Sequence, residues 1–348
     1  MHAWWTEADT LRHVLAEWHR AVPNVQASQT QEGFVFAPDA PPATLLAFAR
    51  QALPHARITA VPSVRAAAEA LAHEVIHATD DDARWRLHIA SCYGSGRAGE
   101  NRCRLIDEGF VEIMRRRRRH RLRHRLPDGA PPVEDEAWIQ FLLVAPDRAV
   151  VSVADPTTAR AWRHSLVPFP AGRIPVASDK AAPCRAFAKL AEAEVRLGQS
   201  ILPGQTVVDL GACPGSWTYW AVRRGARVVA VDRSPLRADL MAHERVHFTQ
   251  GDAFKFEPVA PVDWLVCDVI AAPRRSVDLA LRWAAQGWAR RLVVTIKFKG
   301  DSEYPILDEL KSALALRCEE FRLARLCANR NEACVMAVLP AEPGRNSP

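Results

Sequence analysis

The sequence lacks the features that mark membrane-spanning, secreted and zinc-ribbon proteins. No run of about 18 consecutive apolar residues occurs, which excludes a membrane-spanning helix. Glu7 and Asp9 stand where a secretory signal would be apolar, so we expect a cytoplasmic protein. None of the eight cysteines forms a C-x-x-C pair, and most stand in apolar runs, as Cys267 does in LVCDV, which indicates reduced packing residues. His73 and His77 are four residues apart on a predicted helix, but no third ligand accompanies them, so we expect no metal.

Composition and charge describe an ordinary globular chain with one unusual segment. The 348 residues suit roughly two domains, and 49% hydrophobic against 25% charged residues is enough apolar material to bury a core. The net charge is +6, yet residues 115–125 contain eight arginines, without which the charge would be −2. The basicity is therefore local, which indicates that a polyanion contacts one region.

The N-terminal half mixes predicted helices and strands, without an internal repeat. We expect helices over 6–21, 41–53, 63–78 and 101–125, and strands over 33–37, 56–61, 85–90, 138–144 and 149–153. The last two strands form a predicted hairpin. Five prolines punctuate 155–183, which is the predicted connection between domains.

Beyond residue 183, short β-branched runs alternate with helical stretches. The runs are TVVDLG, RVVAVD, VHFTQGD, DWLVCD and LVVTIKF, and several of them end in Asp or Gly. This alternation predicts an α/β fold, a Rossmann-like, doubly wound parallel sheet.

A glycine-containing loop follows the first of these strands, at the sheet edge where open α/β folds bind ligands. Gly211 and Gly215 let a ligand approach the backbone, Ser216 is expected to cap the next helix, and the free N–H groups of its first turn attract a carboxylate. The residues predicted to contact a cofactor here are Gly211, Cys213, Pro214, Gly215 and Ser216.

Two acids complete a pattern that fits S-adenosyl-L-methionine. Asp232 ends the second strand and is placed to accept the ribose hydroxyls of an adenosine, while Asp252 follows the third strand and is placed to accept from an adenine amino group. The loop is not G-x-G-x-x-G, so a nicotinamide dinucleotide fits poorly. Taken singly, each residue is equally explained as a turn glycine or a solvated acid at a strand end.

Four further charged residues stand near strand ends. Asp268 ends DWLVCD, Lys297 lies in LVVTIKF, Lys189 lies in the helix before the first strand, and Glu332 opens EACVMAVL. A lysine in so apolar a strand is rarely buried without a partner. The alternative to a chemical role is two structural ion pairs at the sheet edge.

From Pro183 to Leu339 the sequence resembles the FtsJ-type (RrmJ-like) ribose 2′-O-methyltransferases, and within them the RlmM subgroup, which modifies a cytidine ribose of bacterial 23S rRNA. The matching segments are CRAFAKLAEA, VVDLGACPGSWTYW, VDRSPL, GDAFKF, DWLVCDVIAAP, QGWARR, TIKFK and NRNEACV. The resemblance implies that Lys189, Asp268, Lys297 and Glu332 form the family's catalytic tetrad, with Lys297 as the base and Asp268 also near the cofactor. Two departures are Ser216, where the relatives usually carry a second glycine, and FKGDSEYP after Lys297.

The chemistry of that reaction suits these residue types. A ribose hydroxyl must be aligned with the methyl group and must lose its proton during attack. Burial and the neighbouring Lys189 favour a neutral amine at Lys297, whereas Asp268 and Glu332 oppose it, so we expect the two acids to orient the lysines.

The N-terminal half is expected to bring in RNA. Residues 84–160 loosely resemble a THUMP-like RNA-binding module, and Arg115, Arg116, Arg117, Arg118 and Arg119 are expected to contact phosphates, although a solvated helix end is the alternative. Trp85, Trp138 and Trp162 are candidates for stacking on bases, or else core residues. The predicted organisation is an N-terminal α/β region (1–83), the RNA-binding region (84–160), a linker (161–183), the methyltransferase domain (184–340) and a disordered tail (341–348).

The sequence thus predicts an S-adenosylmethionine-dependent RNA ribose 2′-O-methyltransferase acting on large-subunit rRNA. Two alternatives stay open: an RNA-binding protein whose methyltransferase domain is inactive, and a methyltransferase with a small-molecule or protein substrate. A nicotinamide dehydrogenase is a more distant third, because its glycine pattern is missing.

Overall fold

A computed structural model describes residues 1–29, 32–38, 41, 44–93, 97–326 and 331–340. The chain divides into two compact units, Met1–Ile174 and Pro175–Pro348. No helix within the described ranges is long and apolar enough to cross a membrane. The predicted tail 341–348 and Cys327 lie outside the described residues.

The first unit is an α+β structure. Its strands are β1 (His2–Trp5), β2 (Ser28–Gln29), β3 (Phe34–Ala37), β4 (Gln51–Leu53), β5 (Arg57–Ala60), β6 (Arg84–Ser91), β7 (Glu136–Ala145) and β8 (Arg148–Ala154). Its helices are α1 (Leu11–Ala21), α2 (Val64–Ala78), α3 (Arg97–Arg117) and α4 (Pro156–Trp162), with short 3-10 helices at Ala8–Thr10, Arg119–His124 and Pro170–Gly172.

These strands form two four-stranded sheets that share a core. One sheet has the order β2-β3-β1-β4 and is antiparallel, and the other has the order β5-β8-β7-β6, in which only β6 and β7 are parallel. Trp5 and Phe36 of the first sheet pack with Leu142 and Val150 of the second. The helices α2 and α3 cover the other face of the second sheet, through residues such as Phe110. The boundary predicted between residues 83 and 84 therefore falls inside one unit, because β5 pairs with β8. The THUMP-like assignment of 84–160 stays a prediction.

One predicted helix in this unit is wrong, and another is confirmed but ends earlier than predicted. Residues 44–53 contain no helix, because Gln51 pairs with Trp5 and the N–H of Arg50 donates to the Trp5 carbonyl, which makes this segment an edge strand. The long helix α3 ends at Arg117, since Arg118 leaves helical geometry at φ −152°. Contacts made by the following turn, described below, explain where it stops.

The second unit is the α/β sheet that the strand pattern predicts. Its strands are β9 (Thr206–Leu210), β10 (Arg227–Asp232), β11 (Val246–Gln250), β12 (Val262–Cys267), β13 (Ala289–Lys297), β14 (Glu320–Ala324) and β15 (Glu332–Val338). Its helices are α5 (Phe187–Leu197), α6 (Ser216–Arg223), α7 (Ala238–Met241), α8 (Pro273–Gln286) and α9 (Ile306–Ala315), with a 3-10 helix at Asp301–Glu303.

The strand order in this unit is β11-β10-β9-β12-β13-β15-β14. The first five strands are mutually parallel, and β15 runs antiparallel to both of its neighbours. Adjacent residues of one strand, such as Val207 and Val208, point to opposite faces and are both buried, so both faces of the sheet are covered. The predicted fold class is confirmed, with one strand reversed.

The predicted linker 161–183 is divided between the two units. Trp162, Leu166 and Val167 are buried in the first unit, which ends at Ile174. Prolines therefore mark irregular but packed chain here, as well as the boundary itself.

Candidate active site

The sheet brings four charged side chains to one edge. Asp268 directly follows β12 and Lys297 ends β13, so both lie at the carboxyl ends of parallel strands. Glu332 begins β15, and because this strand is antiparallel its first residue lies at the same edge, paired with Lys297. Lys189 reaches this edge from the first turn of α5.

The four groups contact one another directly. The Nζ of Lys189 lies 2.8 Å from Oε1 of Glu332 and 3.0 Å from Oδ2 of Asp268. The Nζ of Lys297 lies 2.9 Å from Oδ1 of Asp268 and donates to the Asp268 carbonyl oxygen at 2.9 Å. The predicted set is therefore one cluster rather than two separate ion pairs.

Thr295 is a member of this cluster that the sequence analysis missed. Its hydroxyl donates to Oδ1 of Asp268 at 2.7 Å. Thr295 lies two positions before Lys297 on the same strand, and residues with that spacing face the same side of a sheet. This alternation is the signal that would have found it.

The two lysines differ in how far they are buried. Burial lowers the pKa of Lys189, but the Asp268 and Glu332 carboxylates outweigh it, so this pKa lies above the usual value. Lys189 is therefore a fixed cation with 9% of its side chain exposed, whereas 23% of Lys297 is exposed. An incoming substrate can thus reach Lys297 more readily than Lys189.

One acceptor in the cluster is not used by the protein. Oε2 of Glu332 is buried, lies 4.0 Å from Nζ of Lys297, and receives no hydrogen bond from any residue that the structure describes. A buried carboxylate oxygen without a donor is costly. A hydroxyl group bound beside Lys297 would satisfy it.

The loop between β9 and α6 turns tightly at its two glycines. Gly211 and Gly215 have positive φ angles of 76° and 107°. A Cβ on Gly211 would lie 2.1 Å from Cγ2 of Val269, so the loop packs closely against the residue that follows Asp268 of the charged cluster. Cys213 and Pro214, joined by a cis peptide bond, are exposed at the loop tip.

The expectation that Ser216 caps α6 is wrong. Ser216 is the first helical residue, and its hydroxyl accepts from the Cys184 N–H at 3.0 Å and donates to the Cys184 carbonyl at 3.2 Å. The cap comes from the buried Asp209 of β9, which accepts from the hydroxyl and the N–H of Thr218. Ser216 therefore ties the loop to the chain just before α5.

Burial raises the pKa of Asp209 to about 7, and the nearby Asp268 and Asp232 carboxylates add to this effect. Sequence analysis overlooked Asp209 because it lies inside a strand. Its position in a strand otherwise built from apolar residues was the available signal.

The two acids expected to read an adenosine lie at consecutive strand ends. Asp232 accepts from the N–H groups of Cys213 and Ser234 at 3.0 and 2.9 Å, which fixes its carboxylate beside the loop. Asp252 accepts from the Phe254 N–H and pairs with Arg233 at 2.9 Å, and these contacts lower its pKa. Each carboxylate oxygen keeps a lone pair for a further donor.

The arginine segment of the first unit separates into two groups. Arg115 to Arg119 are all exposed, and of these Arg116 pairs with Glu112. The buried Arg121 instead donates to the carbonyls of Ile76 and Thr79 and to Asp81.

Arg125 likewise pairs with Asp107 and lies over the Trp85 ring. Both side chains therefore hold the turn after α3 and explain why that helix stops. Trp85, Trp138 and Trp162 are at most 2% exposed and are core residues, not stacking platforms.

The second unit is similar to known proteins. Residues 182–344 match the FtsJ-like methyltransferase family. "Ribosomal RNA large subunit methyltransferase M" of Laribacter hongkongensis is 35% identical over 219 residues, or 60% of each chain. The protein of that name in Shewanella woodyi is 40% identical over 168 residues, or 46% of each chain.

The match does not extend over the whole length of these relatives, since the chain spans about 60% of the Laribacter protein and less of the other. Among solved structures, TrmN from Thermus thermophilus aligns with 97% of this chain and 99% of its own, at 15% identity and a TM-score of 0.33, a similarity too low to transfer any property. Fold, motif order and family match agree for the second unit. Residues 182–344 are therefore similar to the FtsJ-like methyltransferase family in both sequence and fold.

Proposed function

We propose that the protein transfers a methyl group from S-adenosyl-L-methionine to a ribose 2′-hydroxyl of RNA, with large-subunit rRNA as the substrate, in the cytoplasm. The observation that carries this proposal is the contact cluster of Lys189, Asp268, Lys297 and Glu332 beside the Gly211 loop. The names of the two relatives, both ribosomal RNA methyltransferases, support rRNA as the substrate class.

The loop and the two strand-end acids suit this cofactor. The backbone from Gly211 to Ser216, including Cys213, Pro214 and Gly215, would lie along the methionine and ribose, Asp232 would accept the ribose hydroxyls, and Asp252 would accept from the adenine amino group. Asp232 fits because two backbone N–H groups already orient its carboxylate toward the loop. When bound, S-adenosylmethionine supplies an electrophilic methyl group on a positively charged sulfur.

Lys297 would act as the base that accepts the proton of the 2′-hydroxyl. The Asp268 and Glu332 carboxylates beside this amine would stabilise the ammonium group that forms when it takes the proton. Asp268 holds both amines in place, and Oε2 of Glu332 is available to accept a hydrogen bond from the hydroxyl before the proton moves.

The exposed arginines of the first unit would recruit the RNA. Arg115, Arg117, Arg118 and Arg119 present guanidinium groups at the end of α3, and Arg116 joins them after breaking a solvent-exposed pair. Phosphate contacts of this kind give affinity without sequence preference. The choice of target nucleotide would then belong to the second unit.

Two other functions fit parts of these observations. An RNA-binding protein with an inactive methyltransferase domain would need no intact cluster, and the short contacts among its four members favour an active enzyme. A methyltransferase for a small molecule or a protein would need no exposed arginine group.

The test is methyl transfer from radiolabelled S-adenosylmethionine to 23S rRNA transcribed in vitro. We expect label in the RNA and a phosphodiester bond that resists alkaline cleavage at the modified nucleotide. An RNA carrying 2′-deoxyribose at the mapped position is the matched control and should accept no label. Label on a base, or only on protein, would contradict the ribose assignment.

A further inference from the structure

The ladder between β13 and β15 continues one residue beyond the catalytic pair, in an unusual way. Lys297 pairs with Glu332, and the next residues are Phe298 and Asn331. The Phe298 N–H donates to the Asn331 carbonyl at 2.9 Å, and the Asn331 side chain donates from Nδ2 to the Phe298 carbonyl at 3.1 Å. Asn331 thus holds both backbone polar groups of Phe298.

Tyr304 fixes the Asn331 side chain in this position. Its hydroxyl donates to Oδ1 of Asn331 at 2.6 Å, and its ring meets the Phe298 ring edge to face at 4.9 Å. Tyr304 is fully buried, and it lies in the FKGDSEYP segment where this chain departs from the relatives it resembles. Phe298, Tyr304 and Asn331 together form what we call the Asn331 clamp.

We propose that the Asn331 clamp positions Lys297 and Glu332 for methyl transfer, so that Tyr304 and Asn331 are positioning residues of the active site. This inference rests on the proposed function. The last residues of a strand pair normally fray, because they lack hydrogen-bonded neighbours on one side. Lys297 and Glu332 would be those last residues without the clamp. A displacement of about 1 Å at a reacting group can lower a rate about 100-fold.

The clamp would act by fixing the positions of Lys297 and Glu332, not by contacting the substrate. The Tyr304 hydroxyl bonds the Asn331 amide, and that amide bonds the Phe298 backbone, so both act on Lys297 and Glu332 through the ends of their strands. Its loss should therefore lower kcat while leaving cofactor affinity and the KM for RNA unchanged. A residue needed only for folding would instead lower the amount of folded enzyme, and kcat per S-adenosylmethionine-binding site, counted by calorimetry, would stay at the wild-type value.

The experiment compares the full-length protein with Tyr304→Phe and Asn331→Ala. We expect kcat for methyl transfer to 23S rRNA to fall at least 10-fold, with the Kd for S-adenosylmethionine and the KM for RNA within about twofold of wild type. Hydrogen exchange at the Phe298 amide, followed by mass spectrometry, should accelerate at least 10-fold. Tyr219→Phe is the matched control, because it removes a tyrosine hydroxyl of α6 that is bonded at 2.9 Å to Asp179, outside the clamp.

The outcomes separate the clamp from the proposed function. Unchanged kcat in Tyr304→Phe, or an equal loss in Tyr219→Phe, would overturn the clamp while leaving the methyltransferase assignment intact. If wild type transfers no methyl group to RNA, the proposed function fails, and exchange at Phe298 still decides whether Tyr304 holds this strand pair together. Unchanged exchange in both variants would overturn the clamp on its own.

Discussion

Lys297 and Glu332 face each other across the ladder between β13 and β15, one position before the Phe298–Asn331 pair that ends it, with Nζ and Oε2 4.0 Å apart. Their spacing is set by backbone hydrogen bonds of the sheet, not by the rotamers of two long side chains alone. An amine and an acid held in this way lose little entropy when a substrate binds. The active-site geometry is thus a property of the sheet edge.

Lys297→Ala should abolish methyl transfer without abolishing cofactor binding. We expect kcat to fall about 10²–10⁴-fold, because the other amine of the cluster, Lys189, is held as a cation by its two carboxylate partners and cannot take the proton. The Kd for S-adenosylmethionine, measured by calorimetry, should stay within a few fold of wild type. Lys311→Ala, which removes a lysine paired with Asp308 on α9, is the control and should keep full activity. Joint loss of turnover and cofactor binding in Lys297→Ala would instead assign Lys297 a structural role.

Gly211→Ala should damage the cofactor site more than a comparable glycine substitution elsewhere. Gly211 and Gly204 both have positive φ, at 76° and 82°. A Cβ on Gly211 would collide with Val269, whereas a Cβ on Gly204 would have nothing within 4 Å. Both variants should lose about 1–2 kcal/mol through backbone strain. Only Gly211→Ala should also bind S-adenosylmethionine at least 10-fold more weakly, and equal affinities in the two variants would show that the close approach to Val269 is unimportant.

We expect the second unit to lose stability as the pH rises toward neutrality, because the buried Asp209 loses its proton in that range. Its pKa is raised from 3.8 to about 7 in the folded protein, so between these values the folded state binds a proton that the unfolded state lacks. This contribution to stability is therefore fully present at low pH, falls by about 1.4 kcal/mol per pH unit between pH 5 and 6.5, and is lost above pH 7. Denaturant unfolding of wild type and Asp209→Asn across pH 5–8 measures it. The stability difference between the two proteins should change with this slope, and a constant difference would mean that Asp209 does not titrate there.

Substitutions should distinguish the exposed arginines of residues 115–125, which we propose contact RNA, from the buried Arg121, which stabilises the fold. The triple change of Arg117, Arg118 and Arg119 to Ser should leave the unfolding free energy within about 0.5 kcal/mol, because these side chains are exposed. It should weaken RNA binding and reduce its salt dependence by up to about one unit of slope per lost phosphate contact.

Arg121→Ala is the contrasting variant. It should cost about 2–4 kcal/mol of stability, because it leaves the carbonyls of Ile76 and Thr79 without a donor, and it should leave the salt slope unchanged. An unchanged slope in the triple variant would place the RNA surface elsewhere.

Much of the second unit was predictable because its signals are local. Each buried parallel strand is a short β-branched run, and acids or lysines at the ends of such runs must meet at one edge. Glu332 is different, since it begins a strand and joins the others only because β15 is reversed. Its membership of the charged cluster was predicted from the resemblance to a family, not from the strand pattern.

The failures have tertiary causes. Residues 44–53 look helical in isolation, but pairing of Gln51 with Trp5 makes their end a strand. The helix predicted through residue 125 stops at Arg117, since Arg121 has buried acceptors to reach. Ser216 is not a cap, because Asp209 from the neighbouring strand already occupies that role. In each case a partner distant in sequence outweighs the local preference.

The strand that supplies Glu332 lies between β13 and β14, both of which are synthesised before it. Among the described strands β14 pairs only with β15, so β13 is the outer edge of the sheet until β15 adds to it. The glycine loop and the other three members of the charged cluster lie on elements that precede β15 in the chain. Glu332 therefore completes the cluster only when this last strand pairs with β13.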